Sequence, residues 1–236
     1  MSTPLAVYKR LPRRMPLSLG FKRFCLYFNG IDQCIRISDA PSLQVTDNFS
    51  VEWMMRGTDT ARIVDFCNFR FSMSGGGVLQ FATLGLKYPR WAPSGATPND
   101  GRWHHGVVTF SRPNYVAYYD GEVGWTATFD DVLKSSAGYN KILMARYDEA
   151  SDTFCEGYLA YFRFYKDKVL TQEEVYHNML NYHNPVTEGL VLWLEMEEGL
   201  GAIAYDRSGY GNNGTLVNNP AWTRVKKWEL RSEVGL

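Results

Sequence analysis

Apolar and polar residues alternate with period two along much of the chain, which is the pattern of half-buried strands. Phe24, Leu26 and Phe28 share one side of an extended segment, and Asn29-Gly30 then turns the chain. Cys34, Ile35 and Ile37 form the next strand. From 49 to 56 the alternation places Phe49, Val51, Trp53 and Met55 on one face. Residues 62–73 read as a strand pair, Ser74 to Gly77 as a turn, and 78–83 as a return strand. The stretch 85–102 is loop-like, carrying Pro89, Pro93 and Pro98; long loops of this kind tend to be functional. Segments 103–110 and 116–119 pair, and Asp120-Gly121 is a strong hairpin turn. Segments 123–129, 142–146 and 158–165 complete a set of about nine or ten strands.

One segment changes period. Thr171-Gln-Glu-Glu174 fits a capping box, and Val175, Met179 and Tyr182 follow on one helical face. Pro185 is expected to end this helix. An apolar strand, Leu190 to Leu194, comes next, then a turn region from Ser208 to Gly214. Many strands, one short helix and glycine-rich turns predict an all-β, two-sheet sandwich or jelly roll.

Composition adds limits. A chain of 236 residues buries a core without disulfides or metals. A hydrophobic share of 45% with a charged share of 21% excludes a disordered chain, and no apolar run is long enough to span a membrane. No secretion signal is legible near the start. The formal charge is zero but unevenly laid out. Residues 1–31 hold six bases and no acid, whereas residues 32–223 hold 15 bases and 23 acids. Residues 224–236 hold four bases and two acids. The ends are either solvated tails or arms that grip an acidic surface, with Lys9, Arg10, Arg13 and Arg14 as the first arm's contacts. Pro4, Pro12 and Pro16 argue against a continuous helix there. Cys25, Cys34, Cys67 and Cys155 lack zinc spacing. Cys25 and Cys34 lie on strands expected to be neighbours, where a bridge is conceivable, but buried free thiols are the expectation.

Five segments in order resemble the laminin-G-like, concanavalin-A-like lectin superfamily. They are Cys25-Leu-Tyr-Phe-Asn-Gly-Ile-Asp-Gln-Cys-Ile-Arg-Ile37, Phe49-Ser-Val-Glu-Trp53, Gly101-Arg-Trp-His-His-Gly-Val-Val-Thr-Phe110, Tyr118-Tyr-Asp-Gly-Glu122, and Gly157 to Tyr165 with Val169 to Glu174. The resemblance implies a two-sheet antiparallel jelly-roll sandwich. Residues 1–23 would be a basic arm, 24–223 the jelly roll and 224–236 a basic tail. A sixth match, within residues 189–217, resembles the segment that normally opens such a domain, yet here it comes last. It would close its own sheets, insert into a neighbouring subunit, or begin a truncated repeat. A lone apolar strand needs a sheet to satisfy its backbone, which favours closure within the chain.

Candidate chemistry is sparse. Glucanases of this fold use paired carboxylates, and Glu195 with Glu197 is the nearest pair, without the third acid of that pattern. His104 and His105 are adjacent on a strand, so they point apart and cannot share one ion. The oxygens of Asp206, Asn212 and Asn213 suit calcium, and related domains hold an ion at such a turn; the same residues also suit a turn held by its own Asx bonds. Tyr88, Trp91, Asn99, Tyr139 and Asn140 are the loop aromatics and amides expected to meet a glycan.

The expectation is a non-catalytic lectin-like structural or adhesion protein in a multimeric assembly, on a virion or other assembly surface. Its partners would be copies of itself or a capsid or scaffold protein, with a glycan possible, and neither nucleic acid nor membrane insertion. The alternatives are a carbohydrate-binding module of a cell-surface protein and a glycoside hydrolase.

Overall fold

A computed structural model describes residues 24–45, 47–57, 62–66, 68–73, 79–83, 100–128, 132–133, 135–145 and 154–225. In chain order the strands are β1 (Phe24–Asn29), β2 (Cys34–Ile37), β3 (Asn48–Gly57), β4 (Arg62–Asp65), β5 (Phe69–Met73), β6 (Leu79–Thr83), β7 (Trp103–Ser111) and β8 (Asn114–Tyr119). They continue with β9 (Glu122–Thr128), β10 (Lys141–Leu143) and β11 (Glu156–Lys166). Helix α1 (Gln172–Leu180) follows, then β12 (Leu190–Leu194), β13 (Ile203–Ala204), β14 (Gly214–Val217) and β15 (Ala221–Arg224). The first sheet runs β15-β1-β11-β3-β7-β8-β9, with β12 also on β11; the second runs β13-β14-β2-β10-β4-β5-β6. This is the two-sheet antiparallel jelly roll expected.

The inward faces meet in one core. Leu26, Phe28, Phe49, Val51, Trp53 and Met55, grouped on common faces by the alternation, pack from the first sheet against Ile35, Ile37, Val64 and Phe71 of the second. Phe49 stacks on Phe69 at 4.5 Å, and Phe66 meets Phe164 at 4.7 Å. Trp53 lies opposite Gly106 across the β3–β7 ladder. A Cβ at Gly106 would sit 2.4 Å from the indole, so a side chain there has no room.

Two expectations are corrected. First, β1 and β2 are not the neighbouring strands expected: they belong to different sheets. The Asn29 side chain accepts from the Ile31 and Asp32 amides, while Gln33 caps the Asn29 amide. These bonds hold an arch that carries the chain between layers. Cys25 therefore packs with Met54 and Trp103, while Cys34 packs with Ile142 and Phe154. The two thiols lie in separate clusters, each turned away from the shared core, so they are not placed to bridge. Second, α1 stops at Leu180 rather than near Pro185. Asn181 leaves helical dihedrals at φ −124° and ψ 52°, and its side chain donates to the His177 carbonyl at 2.9 Å. Tyr182 is past the helix yet buried against Tyr161, with rings 6.2 Å apart. The capping box is present, with Glu174 N to Thr171 Oγ1 at 3.2 Å and Thr171 N to Glu174 Oε2 at 2.8 Å.

The late segment pairs within its own chain. β12 lies against β11, β14 against β2, and β15 against β1, so the displaced piece contributes to both sheets. Among the described residues no helix is long and apolar enough to cross a membrane.

Candidate functional site

Helix α1 covers part of the first sheet's outward face. Val175 packs over Val107, Tyr118 and Tyr165. Beneath the helix sits a buried polar cluster around Glu52, which is fully shielded from solvent. Its carboxylate accepts from Arg163 at 2.7 Å, Asn178 at 2.8 Å, and Tyr161 and Tyr165 at 3.3 Å, with His105 Nε2 at 3.0 Å. Burial pushes the Glu52 carboxyl up, but Arg163, His105 and Asn178 outweigh it and hold it below the ordinary range. This cluster fastens α1 to the sheet and offers no opening to a ligand.

The face emerges beyond Tyr182. There the strand register sets Tyr27 opposite Tyr158, Tyr158 opposite Arg56, and Arg56 opposite Trp103. One row of side chains thus crosses β1, β11, β3 and β7. The Tyr27 and Tyr158 rings are 4.9 Å apart, and the Arg56 guanidinium lies over Tyr158 at 5.6 Å. Trp103 backs the row, 6.3 Å from Tyr158.

A cleft of about 210 Å³ opens at this end of the sheet, lined by Tyr27, Arg56, Gly57, Gly101, Glu156, Gly157 and Tyr158. Its floor is backbone, because three of those residues are glycines. Gly157 has φ +153°, and a Cβ there would meet the Arg56 carbonyl at 2.6 Å. The Gly101 amide donates to the Gly57 carbonyl at 3.1 Å and draws the 100–102 turn onto the rim. Tyr27 donates to Glu156 Oε1 at 3.0 Å, and that bond raises the phenol above its ordinary value. The lining therefore holds two aromatic rings, one cation and one carboxylate, the chemistry of a small polar ligand with an apolar face.

Next to this rim, His104 Nδ1 lies 2.9 Å from Asp120 Oδ2 and Nε2 lies 2.9 Å from Asp100 Oδ1. A neutral imidazole has one N–H and satisfies one of them; the imidazolium satisfies both. Burial alone would lower His104, and the hydrogen bonds to Asp120 and Asp100 outweigh it and raise it. The two adjacent histidines do diverge, to Asp100 and Asp120 in one case and to Glu52 in the other.

Of the residues singled out for glycan contact, Tyr88, Trp91 and Asn99 lie outside the described residues, as do Lys9, Arg10, Arg13 and Arg14. Tyr139 and Asn140 are exposed just before β10 of the second sheet, whereas the cleft opens on the first. At the suggested calcium turn, Asp206 Oδ1 accepts from the Trp193 and Ser208 amides, and Oδ2 from the Ser208 hydroxyl and Asn212 amide. Asn213 accepts from the Asp206 amide, and Asn212 donates to the Val191 carbonyl. Both Asp206 oxygens face N–H or O–H donors, so this donor set does not fit a cation as it stands. Glu195 follows β12 and is buried beside His183 and Arg207. Met196 breaks the extended backbone at φ +56°, so Glu195 and Glu197 do not share a strand face by alternation.

Tyr27, Arg56, Glu156 and Tyr158 were not singled out from the sequence. Alternation puts Tyr27 outward between the core residues Leu26 and Phe28, but only the pairing register brings it beside Tyr158 and Arg56.

A family model described as the concanavalin A-like lectin/glucanases superfamily matches residues 29–176. No curated protein matches the sequence. A crystal structure of a candidate carbohydrate-binding protein from Bacteroides ovatus is similar, with TM-score 0.69 and 16% identity over 88% of this chain. This chain spans 61% of that structure's length. Domain 4 of an extracellular GH43 arabinanase from Geobacillus stearothermophilus, solved with arabinotriose, gives TM-score 0.52 and 18% identity over 64% of this chain and 74% of its own. A heptameric SAP-like pentraxin from Limulus polyphemus gives TM-score 0.50 and 13% identity over 65% of this chain and 80% of its own. The family match spans more than half the chain and its motifs sit on the two sheets described; the chain belongs to the concanavalin A-like lectin/glucanases superfamily.

Proposed function

We propose that this protein is a non-catalytic glycan-binding module that holds its ligand in the cleft at the end of the first sheet. One observation carries the reading: the cross-strand row Tyr27–Tyr158–Arg56 beside Glu156, left open where α1 ends. Tyrosine rings suit the apolar face of a sugar, and the flanking charges suit its hydroxyls. Glycoside hydrolysis needs two carboxyls across one bond, about 5–5.5 Å or 6.5–9.5 Å apart. Among the described lining residues, Glu156 is the one carboxylate. The similar structures named for carbohydrate binding or solved with arabinotriose agree with this reading at the level of fold.

The test is a glycan array with the whole chain, repeated with Tyr158→Ala. Binding to a defined set of glycans that Tyr158→Ala abolishes, with unchanged circular dichroism, is the expected result. Uniform silence, or binding indifferent to Tyr158→Ala, would refute the site. Turnover of a bound oligosaccharide would refute the non-catalytic part.

The charge layout supports a finer reading of biological setting. An acidic body with basic flanking segments suits a subunit of a larger assembly, such as a virion shell, decoration or attachment protein. Native mass spectrometry at low and high salt tests this, and a monomer under both conditions would count against it.

A further inference from the structure

We infer that the cleft takes a sugar bearing a carboxylate, a uronic acid at a chain end or side branch, with Arg56 as the residue that receives the anion. The inference rests on the glycan-binding reading above and narrows it.

Two observations lead there. Arg56 is half-buried against Tyr158, yet among the described residues its guanidinium has neither an ion pair nor a hydrogen bond. Glu156 lines the same cleft but is not paired with Arg56; one of its oxygens holds the Tyr27 hydroxyl. A cation and a carboxylate that share a small cleft without neutralising each other leave two separate polar demands. A partly desolvated guanidinium gains most from a ligand anion, and its planar fork matches a carboxylate in two parallel hydrogen bonds. Glu156 keeps an oxygen that accepts from sugar hydroxyls. The apolar side of the ring then lies against Tyr27 and Tyr158, and the glycine floor offers backbone groups.

Size points to one ring. The cleft of about 210 Å³ is smaller than the roughly 300–1,000 Å³ that drug-sized ligands fill. A polymer threading through would need a longer groove, so a terminal or branch residue fits.

The experiment is calorimetric titration of the whole chain at low salt with methyl glucuronide and methyl galacturonide. Each is compared with its neutral parent glycoside, and with the corresponding 6-sulfate. At least one uronide should bind about tenfold tighter than its parent, a difference of about 1.4 kcal/mol. Arg56→Gln should erase that preference, with the uronide losing about tenfold more affinity than the neutral parent loses; Arg56→Lys, which keeps charge but loses the fork, should fall between. Uronide and parent binding alike, or a preference that survives Arg56→Gln, overturns the inference while the glycan site stands if Tyr158→Ala still abolishes binding. A 6-sulfate bound more tightly than the uronide overturns the carboxylate assignment. Binding by none of these sugars, together with a silent array, overturns both readings.

Discussion

Replacing Glu52 with Gln should destabilise the protein severely although the substitution is nearly isosteric. The carboxylate sits among Arg163, His105, Tyr161, Tyr165 and Asn178, with neither Glu52 nor Arg163 side chain exposed. Removing its charge leaves the Arg163 guanidinium buried without a counter-ion, which costs about 3–5 kcal/mol. The new amide also turns an N–H₂ toward a ring of donors, and each orphaned donor adds about 1–3 kcal/mol where it cannot rearrange. For a chain of this size Tm falls about 2–4 °C per kcal/mol, so a drop of about 6–20 °C is expected. Urea unfolding followed by tryptophan fluorescence reads the change as a lower midpoint at unchanged m. A loss below about 1 kcal/mol, the value of an exposed pair, would refute the reasoning. The double variant Glu52→Gln/Arg163→Met should be less destabilised than the two single losses added, because it leaves no unpaired charge. The pH dependence has a fixed sign. Glu52 is held below the ordinary carboxylate range in the folded protein, so its contribution is full above that range and is lost as pH falls through the lowered value. The difference between wild type and Glu52→Gln should therefore shrink in acid.

Two further outcomes are expected. Gly106→Ala places a methyl 2.4 Å from the buried Trp53 ring and should cost about 1–3 kcal/mol by overpacking, read by the same urea titration; a neutral result would mean that the two strands part more easily than their packing suggests. His104 is raised by Asp120 and Asp100 against the effect of burial, so its contribution is full below the ordinary imidazole range and is lost as pH rises through the raised value. His104→Gln should accordingly destabilise more at pH 5.5 than at pH 9 in thermal melts, and an equal loss at both would refute the bridging imidazolium.

The candidate site was less legible than the fold, and the reason is visible in particular residues. Tyr27 and Tyr158 are 131 positions apart, and nothing local to either marks the other. Asn29-Gly30 reads as a turn between neighbouring strands. Here the Asn29 and Gln33 side chains hold an arch between sheets, a use of the same dipeptide that depends on where β2 finds its partners. Tyr182 read as helical because it continues the spacing of Val175 and Met179. It is buried instead by Tyr161 and the sheet after Asn181 has ended the helix.

Period-two alternation by itself determined which residues share a face of each strand, since side-chain direction along a strand is a local property of the backbone. Local hydrogen bonding likewise determined the capping box that starts α1. Which strands are neighbours, and in what register, is a property of the whole chain. It decided that Cys25 and Cys34 lie in separate clusters and that Glu52 meets Arg163 beneath a helix. It also decided that two tyrosines and an arginine from three strands form one open row. Burial and backbone pairing choose those partners together, and no short stretch of sequence contains both sides of the choice.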